Sequence, residues 1–115
     1  MNFQDAITAH TQWKMKLTSY IAKPDHSLNA SEVGSDNKCQ LGQWLYGEGH
    51  KYSRLPEFST LVSDHTRFHK AASEVIKKAD AGQRVTEEIA LGARSEFASA
   101  SAAVVKSLIA MKAKV

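Results

Sequence analysis

Two histidines stand four residues apart in the stretch SDHTRFHKAA, as His65 and His69. On a helix, side chains at that spacing share one face, with Cβ atoms roughly 5–6 Å apart. Two imidazoles placed in this way can bind one metal ion from the same side. The same spacing also arises between ordinary partly buried histidines, so the rest of the chain has to supply further donors. His10 is one: it falls on the apolar side of the N-terminal segment, whereas His26 and His50 fall in polar connections. An imidazole buried in a helical core costs free energy unless its ring nitrogens find partners. Three of them directed inward in a chain of 115 residues need a shared explanation.

Cys39 is the remaining candidate and the only cysteine, so an internal disulfide is excluded. A lone thiol fits a reducing cytoplasm better than a secreted scaffold. Cys39 opens the segment CQLGQWLY. A thiol near a helix N-terminus is expected to have a lowered pKa, because the helix dipole favours the thiolate, which is the form that binds metal. The competing role is that of a small buried hydrophobe.

Together His10, Cys39, His65 and His69 offer three nitrogens and one sulfur, a set that suits tetrahedral zinc. Four protein ligands leave no position open for a substrate water, which points away from an enzyme. Zinc peptidases carry His-Glu-x-x-His with the glutamate as general base; here Thr66 occupies that place and cannot do the work. A hemerythrin-like or other di-iron bundle wants several carboxylates projecting inward beside its histidines, and the apolar stripes offer none at matching positions.

The elements that position these residues follow from hydrophobic period. Phe3, Ile7, His10, Trp13, Leu17 and Tyr20 or Ile21 recur in steps of three and four, which predicts a helix over about 2–22. Pro24 ends it, because the residue before proline is pushed out of the α region. Residues 24–38 are rich in turn formers and read as a long connection. Asp36 or Asn37 is expected to cap a short helix beginning near Cys39, which GEGH then breaks. Leu41, Trp44 and Leu45 supply apolar surface to dock it, and Gly42 allows close packing. Pro56 suits the first turn of a third helix, with its stripe running Phe58, Leu61 or Val62, His65, Phe68 or His69, Ala72, Val75 or Ile76, Ala79. Gly82 is placed to stop it. A last helix is expected from about Thr86 to Lys114, with the stripe Ile89, Ala93, Phe97, Ala100, Val104, Leu108, Met111. No strand-like alternation occurs. The expected fold is all-α, a four-helix-bundle-like arrangement of three long helices and a short Cys-bearing one, forming a single domain over residues 1–115.

Composition narrows the function classes. The formal net charge is +3, and the lysines are scattered, without the basic run and interleaved aromatics of a nucleic-acid binder. No stretch approaches the roughly 18 apolar residues of a membrane span, and the N-terminus lacks the pattern of a secretory signal. The expectation is a cytoplasmic chain that binds neither nucleic acid nor membrane.

Taken in order, His10-x-x-Trp13, a spacer, Cys39-x-Leu41-Gly42-x-Trp44, a second spacer and His65-x-x-x-His69 resemble the chemoreceptor zinc-binding (CZB) domain family. The resemblance covers about residues 3–110. It implies a cytoplasmic bacterial sensory module in which a helical bundle holds zinc through His10, Cys39, His65 and His69. It further implies regulation of a signalling output, a chemotaxis receptor or a diguanylate cyclase, in response to zinc or to oxidants such as hypochlorous acid acting at the cysteine. Release of the Cys39 segment, about residues 24–54, is the switch these residues permit. Asp5, Asp36, Asp64 and Glu57 are the candidate partners for the outer ring nitrogens of the ligands. Val105 and Ile109, off the main stripe of the last helix, offer a homodimer seam. The alternatives are a bundle in which zinc only holds the fold, and the di-iron class already weighed against.

Overall fold

The computed structural model describes residues 2–82, 91–92 and 95–114. Helix α1 spans Phe3–Ala22 and is capped by Asn2, whose side chain accepts the Asp5 N–H at 3.1 Å. After Pro24 the connection contains a single helical turn, α2, Ala30–Val33, capped by Asn29. Helix α3 spans Gln40–Tyr46, and a 3-10 turn follows over Glu48–Tyr52. Helix α4, Pro56–Asp80, starts with proline in its first turn, where the missing N–H has no partner to lose. Gly82 follows it at φ 74°, a conformation open to glycine at little cost. Helix α5 is described over Glu96–Lys114.

The expectations for α1 and α4 hold to within a residue or two. Three others need correction. Residues 24–38 are not all loop, since Asn29 seeds the turn α2 by accepting the Glu32 N–H. Cys39, not Asp36 or Asn37, caps α3: its backbone is extended and its Sγ accepts the Gly42 N–H at 3.4 Å. The last helix does not run unbroken from Thr86. Gly92 and Ser95 are non-helical, and the Ser95 hydroxyl accepts the Ala98 N–H at the start of α5. Ile89 and Ala93 of the expected stripe lie outside the described residues.

The fold is all-α: the described residues contain no strand. Helix α4 is the hub, packing against α5, α1 and α2. Leu17, Leu61, Phe68, Ile76, Val104, Leu108 and Met111 are fully buried between the long helices. Small residues on α5, Ala100 and Ser107 among them, are buried too and let it lie close to α4. Helix α3 caps one end of this core with Leu41 and Leu45. Its Trp44 meets Phe3 of α1 edge-on, ring centroids 5.4 Å apart, and stacks on Tyr52. No helix of the described residues is long and apolar enough to cross a membrane.

Candidate metal centre

The three histidines on the long helices are buried and meet at one point. His65 and His69 project from α4 with ring centroids 4.4 Å apart, and His10 reaches them from α1 at 5.1 and 5.9 Å. Cys39 arrives from the other side, at the start of α3. Its Sγ lies 3.2 Å from His65 Nε2 and 3.5 Å from His69 Nε2. One donor atom from each of His10, Cys39, His65 and His69 lies within 4.8 Å of the others. The structure therefore brings together all four residues singled out above. It leaves out His26 and His50, both exposed, and no carboxylate joins the cluster among the described residues.

Hydrogen bonds on the outer ring nitrogens settle which way two of the imidazoles work. His10 Nδ1 lies 2.7 Å from the Ala6 carbonyl, and His69 Nδ1 lies 2.7 Å from the Val33 carbonyl. A carbonyl only accepts, so each Nδ1 carries the proton and each Nε2 turns a lone pair inward. His10 Nε2 is buried with no hydrogen-bond partner among the described residues. His69 Nε2 faces His65 Nε2 at 2.9 Å. Buried acceptors crowded together with too few protons are unfavourable unless something electron-poor sits between them.

That is the property of a cation site, and the size fits. Donors around a tetrahedral zinc, at about 2.0–2.1 Å for nitrogen and about 2.3 Å for sulfur, stand roughly 3.3–3.6 Å from one another. The distances of 3.2 and 3.5 Å from Cys39 fall in or near this range, and the His65–His69 edge of 2.9 Å is a little tight.

The carbonyls of Ala6 and Val33 do what the carboxylates Asp5, Asp36, Asp64 and Glu57 were expected to do. For His10 the reason is local: the carbonyl four residues back is already within reach on the same helix. For His69 it is the turn α2, which lays Val33 against α4 and is itself pinned by the Ser73 hydroxyl donating to the Ala30 carbonyl at 2.8 Å. Nothing in the residue order signals that partner. Asp64 is engaged elsewhere, accepting from Ser107 at 2.7 Å. His65 Nδ1 is buried without a partner among the described residues.

The electrostatics separate the thiol from the imidazoles. Burial pushes His65 down to about 3, helped by the neighbouring His69 and His10 rings. Burial also lowers His10 and His69, against the opposing effect of their carbonyl bonds. All three are thus held in the neutral form that binds metal. Cys39 departs from expectation. Burial pushes its thiol up from the ordinary range, and the N–H groups of Gly42 and Leu41 at the start of α3 only partly offset this. The short helix does not, unaided, make a thiolate here; a bound cation would supply the missing stabilisation.

The family model described as "Chemoreceptor zinc-binding domain" matches residues 10–76, more than half of the chain. The chain belongs to that family. The match runs from His10 into the C-terminal part of α4 and so spans all four clustered residues. No curated protein and no solved structure matches the chain. Zinc is the metal for which the family is named, and the cluster of three imidazoles and one thiol has the donor chemistry to hold it.

Proposed function

We propose that the chain is a regulatory zinc-sensing domain in which His10, Cys39, His65 and His69 are the ligands. The observation that carries this reading is the asymmetry of the cluster: three donors are buried on long helices, while Cys39 is part-exposed on a short segment. Bound zinc would tie that segment to the bundle. Cys39 is the ligand that solvent-borne reagents reach first. Its thiolate sulfur can take up oxygen from hypochlorous acid to give a sulfenic acid, the oxidant leaving as chloride. A sulfenic acid is a poorer zinc ligand, so Cys39 would withdraw and the 24–54 region would shift while the three histidines stay. The site acts as a switch and catalyses nothing, since its four protein donors fill a tetrahedral shell.

The same reading places the domain, spanning the whole chain, in the bacterial cytoplasm. There it acts on a signalling output, a chemotaxis receptor or a diguanylate cyclase, in cis or in trans. A second copy covering Ile109, which is 56% exposed, and the adjacent Val105 is the self-association it carries.

Zinc content by plasma mass spectrometry tests the ligand set on untagged wild type beside Cys39→Ala and His65→Ala, with His26→Ala and His50→Ala as controls. About one zinc per chain is expected in wild type and in both controls, with a marked loss in the two ligand variants. An essential His26 or His50 would overturn the assignment. Hypochlorous acid should release zinc from wild type. Zinc that neither oxidant nor physiological free-zinc levels can exchange would instead make the site purely structural.

A further inference from the structure

Asp36 lies three residues before Cys39, on the turn leading into α3. Its Oδ2 accepts two hydrogen bonds, both 2.6 Å long. One comes from the Tyr46 phenol on the last turn of α3, the other from the Thr66 hydroxyl on α4. Thr66 has a single hydroxyl proton, and its other acceptor, the Val62 carbonyl, is farther away at 3.0 Å. The proton therefore goes to Asp36. On the main-chain side, the Asp36 carbonyl fills the space that a Cβ at Gly42 would need, 1.6 Å from where that atom would sit. Asp36 is thus gripped at both ends. Its carbonyl bears on the first turn of α3, and its carboxylate bridges the end of α3 to α4.

The position on α4 matters. Thr66 follows His65 directly and lies on the outer side of the helix, away from the cluster. One carboxylate oxygen therefore joins the element that carries Cys39 to the element that carries His65 and His69. Hydrogen bonds to an ionised acceptor are the stronger kind. Burial opposes ionisation of Asp36, yet the bonds from Thr66 and Tyr46 outweigh it and hold the carboxyl below its ordinary range. Among the described residues the other polar contacts between this segment and α4 are those of Cys39 Sγ with His65 and His69, and α3 otherwise buries Leu41 and Leu45.

We propose that Asp36 is a latch, a positioning residue that keys the Cys39 turn to the His65–His69 stretch of α4 and thereby sets how fast Cys39 lets go of zinc. The inference rests on the ligand assignment made above. It adds that the timing of release is governed outside the ligand set, by two exposed hydroxyls that touch no donor atom. Because a single oxygen serves both, losing one hydroxyl leaves the carboxylate tied to the other helix, and losing both frees it and leaves only the main-chain contact at Gly42.

The test is the rate at which the zinc-loaded protein yields its metal to excess chromophoric chelator. Wild type is compared with Tyr46→Phe, Thr66→Val and the double variant. Tyr20→Phe is the control: it removes the same kind of bond, a phenol on an aspartate (Asp80), at the far end of α4. All four variants should load about one zinc per chain. Release should quicken about threefold to tenfold for each single variant and at least about thirtyfold for the double. It should stay within about twofold of wild type for Tyr20→Phe. Amide hydrogen exchange over residues 37–46 should rise in the double variant, and melting of the zinc-free chain should fall only slightly, because the two bonds are lost from exposed groups.

Normal zinc loading with wild-type release in the double variant overturns the latch and leaves the ligand assignment standing. A drop in zinc-free melting without faster release makes Asp36 a merely structural tie and overturns the latch equally. Wild type that loads no zinc sinks the assignment and the latch together.

Discussion

The two halves of the zinc site are built in different ways. His10, His65 and His69 stand on α1 and α4, helices of 20 and 25 residues that are both packed into the bundle core. Cys39 stands on a seven-residue helix reached through a polar connection and fastened by a few contacts. The histidines have neutral rings, and His10 and His69 are each aimed by a backbone carbonyl. The thiol is part-exposed, and burial keeps it protonated more than an ordinary cysteine. The difference teaches that the imidazole half is preorganised by the fold, whereas the sulfur half depends on the metal and on local ties. The proposed switch needs this division, because one part of the site must persist while the other moves.

The comparison breaks most sharply in the core. Ile76 is fully buried on α4, about two turns beyond His69. Ile76→Ala should cost about 2–5 kcal/mol in urea unfolding of the zinc-free chain. It should leave about one zinc per folded chain. Weakened zinc binding without loss of stability would mean that the histidine half is not anchored by the core.

Gly42→Ala probes the other half. The new Cβ would collide with the Asp36 carbonyl, a backbone atom that a rotamer change cannot clear. Helix α3 has to lift, carrying Cys39 away from His65 and His69. Zinc affinity by competition titration should fall at least about tenfold, while the helical signal of the long helices is kept. Unchanged affinity would show that the Cys39 turn is not set by this contact.

The smallest effect is a slope. His65 is held down to about 3, and His10 and His69 are lowered with it, so zinc uptake near neutral pH displaces no imidazole proton. The raised thiol is protonated over the same range. Uptake should therefore release one proton. Affinity should weaken about tenfold for each pH unit lost between about pH 8 and pH 6. A slope that steepens below about pH 6.5 would mean that the histidines titrate normally and are not preorganised as neutral ligands.

Much of this molecule could be read along the chain. The periods of α1 and α4, the proline at the start of α4 and the two histidines on one face are consequences of neighbouring residues, and local order carries them. So does the set of four candidate donors, because three imidazoles on inward stripes need a shared explanation. The turn α2 was hidden in a segment of turn formers, where Asn29 capping Glu32 is too short a signal to stand out. The cap of α3 fell to Cys39 because the helix starts at Gln40, and Asp36 instead bonds Tyr46 and Thr66, ten and thirty residues away.

Residue order thus determined which side chains could serve the metal and which helices would carry them. Only the tertiary structure decided how they are held: the Val33 carbonyl on His69, the Asp36 bridge and the burial that raises the Cys39 thiol. Each of these depends on segments distant in sequence arriving at one place. Hydrogen bonds and desolvation act over a few ångströms in space, whatever the separation along the chain.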